Sequence, residues 1–94
     1  MSQQRYDMIL ARLSAALAPV ALELEDESHL HAGHAGAQGG RGHYRVHIVS
    51  EQFAGLRPIA RHQLVYRTLG ELMQTDIHAL SITAHTPEEV RAHA

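Results

Sequence analysis

From His43 to Ser50 the chain reads HYRVHIVS, with Tyr44, Val46 and Ile48 on one parity and His43, Arg45 and His47 on the other. Successive strand residues point to opposite faces, so such a run belongs in a sheet with one covered face and one face in water. The stretch after Pro19 obeys the same rule: Val20, Leu22 and Leu24 alternate with Ala21, Glu23 and Glu25 until the pattern ends near Asp26. Before Pro19 the period is different. Tyr6, Ile9, Leu10, Leu13, Ala16 and Leu17 recur every three or four residues, the stripe of an amphipathic helix over 2–17 that the proline terminates. EQFAGLRP predicts a break with a short helical turn before Gly55. Pro58 then suits the first turn of a helix whose buried face is Ile59, Leu64, Val65, Leu69, Leu72 and Met73. IHALSITA is a third strand, with His78, Leu80, Ile82 and Ala84 sharing one parity. A strand, a helical crossover and another strand predict that the second and third strands are parallel neighbours. In TPEEV, Thr86 can cap, Pro87 occupies the first helical position and Glu89 completes a capping box. With 94 residues there is one domain, 1–94. Its predicted class is α+β: a sandwich whose three-stranded mixed sheet is covered on one face by helices.

Between the first two strands lies HLHAGHAGAQGGRGH, residues 29–43, with four histidines and five of the chain's seven glycines. Consecutive strands pair most simply as an antiparallel hairpin, which makes 27–42 a loop longer than about 12–15 residues, and such loops are functional or unstructured. Imidazoles spaced by two and three residues on a glycine backbone can converge on Zn²⁺, Cu²⁺, Ni²⁺ or iron, since neutral imidazole suits all of them. The same composition equally describes a solvated Gly/His loop with adventitious metal affinity, because neither four ligands for a structural zinc nor three for a catalytic one are evident. GAQG (36–39) has the spacing of a KH-type clamp but joins strands rather than helices, which makes it a coincidence of glycine content. His62, near the start of the second helix, reads as a structural histidine. His78 alone reads more readily as a core or edge histidine than as a ligand.

Cysteine is absent, so there is no disulfide and no thiol nucleophile, and any soft-metal chemistry must borrow sulfur from another molecule. No Ser/His/Asp set, no G-x-S-x-G and no carboxylate pair in apolar surroundings is present, and the chain is expected not to be an enzyme. The N-terminus lacks a basic segment followed by an apolar run, and no stretch approaches the roughly eighteen apolar residues of a membrane span. A cytoplasmic chain without membrane contact is therefore expected. Net charge is −2 and all eight basic residues are arginine, which argues against a nucleic-acid binder relying on overall positive field but leaves room for a local arginine patch.

Taken in order, LELEDES, HYRVHIVSEQFAGL, RHQLVYRTLGELM and IHALSITAHTPEE resemble the BolA family over nearly the whole chain. The resemblance implies a fold similar to a class II KH domain, of order α-β-β-α-α-β-α. It also implies a monothiol glutaredoxin as partner and a [2Fe-2S] cluster shared with that partner and its glutathione, with no cluster in the isolated, monomeric chain. The implied ligands are His78 of the I-H-A-L motif and a loop histidine, His31 by its spacing from DES. The added HAGHAG makes His34 an alternate, and His29 is a weaker candidate. Two histidines on one iron and two thiolates on the other have a precedent in Rieske centres. Two other readings follow from the same family. One is a DNA-binding transcriptional regulator that uses a helix-turn-helix-like segment, Glu51 to Met73, with Arg57, Arg61 and Arg67 on phosphates. The other is a metal-free modulator of glutaredoxin.

Overall fold

The computed structural model describes residues 2–28 and 42–92. Along the chain run α1 (Ser2–Leu17), β1 (Ala21–Asp26), β2 (Gly42–Val49), a 3₁₀ turn (Glu51–Phe53), α2 (Pro58–Leu69), α3 (Leu72–Thr75), β3 (Ile77–His85) and α4 (Pro87–Ala92). The sheet order is β1-β2-β3, with β2 antiparallel to β1 and parallel to β3. This is the α+β sandwich with a mixed sheet that the alternating periods predict. Its core joins Ile9, Leu13 and Leu17 of α1, Val65 and Leu69 of α2, and Leu72 to Leu24, Tyr44, Val46, Ile48 and Ile77 of the sheet. The helices therefore cover one face of the sheet.

The helix boundaries have local causes. Ala18, with φ +43°, turns the chain out of α1 immediately before Pro19. The helix expected to continue from Pro58 through Met73 instead breaks at Gly70, whose φ of +54° is one that glycine adopts without a Cβ penalty. Leu72 and Met73 therefore sit on the separate α3. Ile59, expected on the buried face, is 69% exposed in the first turn of α2. Ala16 of α1 is likewise exposed.

Three side chains tie the layers together. Ser50 is fully buried; its hydroxyl donates to the Leu17 carbonyl at 2.6 Å and accepts from the Gln52 amide at 3.0 Å, so it joins the end of α1 to the 3₁₀ turn. Arg12 of α1 donates to the Leu69 carbonyl at 2.8 Å and to both carboxylate oxygens of Glu71, fixing the break between α2 and α3. Arg61 of α2 is only 11% exposed. It donates to the carbonyls of Leu56 and Ala84 and, as a fork at 2.7 and 2.8 Å, to Glu89. Glu89 also accepts the Thr86 amide while the Thr86 hydroxyl accepts the Glu89 amide, which completes the predicted capping box.

Two measurable consequences follow. Ser50→Ala leaves a buried carbonyl without its donor and is expected to cost about 1–3 kcal/mol in urea denaturation. The Arg61 guanidinium, with the Thr86 amide, holds the Glu89 carboxyl down at about 2. A carboxylate depressed on folding stabilises fully above its ordinary titration range, and that contribution fades as pH falls towards about 2. In Glu89→Gln this acid-range slope of stability against pH should flatten. A slope unchanged from the parent would show that the fork contributes nothing.

Candidate functional site

The uncovered face of the sheet carries a polar set dictated by strand parity. β1 contributes Glu23 and Glu25, with Glu27 just beyond it; β2 contributes His43, Arg45 and His47; β3 contributes Ser81, Thr83 and His85. Arg45 lies between carboxylates, 3.1 Å from Glu27 and 3.8 Å from Glu25. At the lower end of this face β2 and β3 slip register: Gly42 pairs with Ile77, but His43 pairs with Ala79. One extra residue on β3 is a bulge, and it reverses side-chain parity across itself. Ile77 therefore goes into the core with Leu80, and His78 does not share the face of Leu80, Ile82 and Ala84 as simple alternation predicts. His78 is exposed instead, with its ring centroid 5.0 Å from that of His43 and the planes tilted by 53°.

This pair stands where the Gly/His segment joins the sheet. The Glu27 amide donates to the His43 carbonyl at 2.7 Å, the His43 amide donates to the Ser28 hydroxyl at 3.0 Å, and the Ser28 amide donates to the Asp26 carboxylate at 2.9 Å. These bonds, just past the strand end at Asp26, pin residues 27 and 28 to His43 beside His78. Gly42 is required at this junction: a Cβ there would stand 2.5 Å from the Tyr44 ring and 2.9 Å from the Ser28 hydroxyl. The expected loop ligands His31, His34 and His29 lie outside the described residues.

An ion bound by imidazole nitrogen sits about 2.1 Å from it, hence ~3.2 Å from the ring centre, and rings 5.0 Å apart then subtend about 100° at the ion. That angle is close to tetrahedral. Among the described residues no group of three or more His, Cys, Asp or Glu side chains could hold an ion by itself. An exposed strand imidazole, His78, in a chain without a thiolate fits part of a histidine-ligated [2Fe-2S] site and leaves the sulfur to another molecule. Nothing in the sequence marks His43 as a ligand, although its parity within HYRVHIVS sets it opposite the core-facing Tyr44.

The remaining predicted residues are dispersed. His62 is half-buried on α2 and lines a groove against β3 with Arg61, Ile82, Ala84 and His85. Arg57 caps α2 through its backbone and is exposed, and Arg67 is exposed in the last turn, about 15 Å further along the helix. Arg61 is committed to Glu89 and two carbonyls. The leading element of the helix-turn-helix-like segment is a single three-residue 3₁₀ turn.

Comparison with known proteins adds the following. The BolA family profile, described as BolA-like protein, matches residues 13–89. Protein BOLA1, chloroplastic, from Arabidopsis thaliana is 43% identical over 90 residues, covering 93% of this chain and 56% of that protein. The DNA-binding transcriptional regulator BolA of Vibrio cholerae is 42% identical over 83 residues, 88% of this chain and 76% of that protein. Among solved structures, BolA1 from Arabidopsis thaliana superposes with a TM-score of 0.77 at 44% identity, covering 88% of this chain and 92% of that one. The chain spans little more than half the length of the Arabidopsis curated relative. No catalytic family is indicated by these matches. Among the described residues no helix is long and apolar enough to cross a membrane.

The junction itself can be probed without any ligand. Gly42→Ala should destabilise the domain by about 1–3 kcal/mol through overpacking against Tyr44, read as a lowered thermal midpoint. His78→Ala, at an exposed strand position, should change stability by no more than about 0.5 kcal/mol.

Proposed function

The chain belongs to the BolA-like family, and from that premise we propose that it pairs with a monothiol glutaredoxin to hold a [2Fe-2S] cluster through histidines. In this reading it acts in iron–sulfur cluster trafficking, assembly or iron regulation. The observation that carries it is the bulge that brings His78 out of the core to the foot of the Gly/His loop, beside His43. His78 supplies one imidazole and the loop supplies the second, from His31 or its alternate His34. His43 flanks His78 and keeps the first imidazole among polar neighbours. The glutaredoxin cysteine and glutathione supply the thiolates, which a chain without cysteine cannot. When bound, the cluster supplies one-electron chemistry at a potential above that of all-thiolate ligation. This chain's part is to present one imidazole on a rigid strand and a second from the loop, and to leave the adjoining face open for the partner. The cytoplasm is the compartment of this reading; the Arabidopsis relative is named chloroplastic.

A DNA-binding role is the second reading, favoured by the name of the Vibrio relative. It rests on Arg57 and Arg67. Arg61 is already neutralised by Glu89, so Arg61→Gln should lower stability without changing the salt dependence of DNA binding. Arg57→Gln and Arg67→Gln should each reduce the log–log salt slope by about one.

Titration into a cluster-bearing glutaredoxin, followed by visible absorption and circular dichroism, tests the primary reading. The expected result is a new spectrum at one-to-one stoichiometry that is absent with His78→Ala, while heterodimer formation persists. An unchanged spectrum with a heterodimer present would favour metal-free modulation. Unchanged spectra with no heterodimer would remove the glutaredoxin reading altogether.

A further inference from the structure

A second pair of imidazoles stands on the open face, apart from His43 and His78. His47 of β2 and His85 at the end of β3 have ring centroids 5.7 Å apart with planes at 89°. His47 lies four residues along β2 from His43, about 13 Å at strand rise. Each ring has one nitrogen turned towards a carboxylate: His47 Nδ1 is 3.6 Å from Glu23 Oε1, and His85 Nδ1 is 3.6 Å from Glu89 Oε1. A carboxylate beside Nδ1 leaves Nε2 as the nitrogen turned to a metal, the arrangement that supports metal-bound histidine. His47 Nε2 is shielded from solvent and has no hydrogen-bond partner among the described residues. A buried imidazole nitrogen without a partner is costly unless something occupies it.

We propose that His47 and His85 form a second, independent site for a borderline divalent transition-metal ion, of the Zn²⁺, Ni²⁺ or Cu²⁺ class. With the ion about 3.2 Å from each ring centre, rings 5.7 Å apart subtend about 125°, somewhat wider than the tetrahedral angle. The two backbones are held by the β2–β3 ladder, in which His47 pairs with Thr83 and Val49 with His85, and by the Ser50 amide donating to the His85 carbonyl at 2.9 Å. The ligands are therefore preorganised by main-chain pairing rather than by a loop. Two protein ligands leave the other coordination positions to water, so binding is exchangeable rather than closed and structural. The site uses neither His43 nor His78, and it stands or falls separately from the cluster reading.

The test uses the full chain carrying His29→Asn, His31→Asn, His34→Asn, His43→Asn and His78→Asn, which removes the loop imidazoles and the first pair. Zn²⁺ is titrated while the ring signals of the remaining histidines are followed by NMR. The His47 and His85 rings should shift together and saturate at one equivalent of zinc. Adding His47→Asn should then weaken the His85 response roughly tenfold or more, since a chelate has become a single ligand. Backbone spectra report that each variant is folded. A His85 response indifferent to His47→Asn, or no response of either ring up to millimolar zinc, would overturn the proposal.

Discussion

The architecture depends on a sheet with helices on only one side. β2 is hydrogen-bonded along both edges, so its side chains have only two directions available, and Tyr44, Val46 and Ile48 take the covered one. His43, Arg45 and His47 are thereby committed to the other. The same division on β1 and β3 adds Glu23, Glu25, Ser81, Thr83 and His85. Of the five histidines among the described residues, only His62 lies away from this face. An apolar core of modest size thus specifies, as its complement, a polar face rich in imidazole and carboxylate.

Two local devices convert that general polarity into a site. The bulge at the start of β3 allows Ile77 to share the core face with Leu80, Ile82 and Ala84 while His78 emerges, which regular alternation would forbid. Gly42 lets β2 pass under the Tyr44 ring with no room for a side chain, so the loop rejoins the sheet directly beside His43. Both devices determine what the open face presents. The Arg61–Glu89 fork plays the corresponding role at the other end, where it fixes α4 and so the carboxylate beside His85.

Much of this was legible in the residues. Periods of 3.6 and two marked α1 and all three strands, and TPEEV marked the capping box, because those patterns are set by local geometry and by one-sided burial. The break at Gly70 was hidden because Leu72 and Met73 continue the helical spacing numerically, although the glycine between the two runs carries the positive φ. The orientation of His78 was hidden for a sharper reason. IHALSITA alternates well enough to read as a regular strand, and a bulge is a property of the pairing between two strands rather than of either alone. Arg61 looked free because its partner, Glu89, is 28 residues away in sequence. The pairing of His47 with His85 joins different strands and is equally invisible along the chain.

The central claim is that this face contributes imidazole to iron while the sulfur comes from elsewhere. Pulsed electron paramagnetic resonance on the reduced cluster of the complex with glutaredoxin measures this directly, through the nitrogens coupled to the iron. The account predicts two strongly coupled histidine nitrogens, one of which disappears in His78→Ala. A spectrum with no strongly coupled nitrogen, as expected for a cluster ligated by thiolates alone, would contradict it.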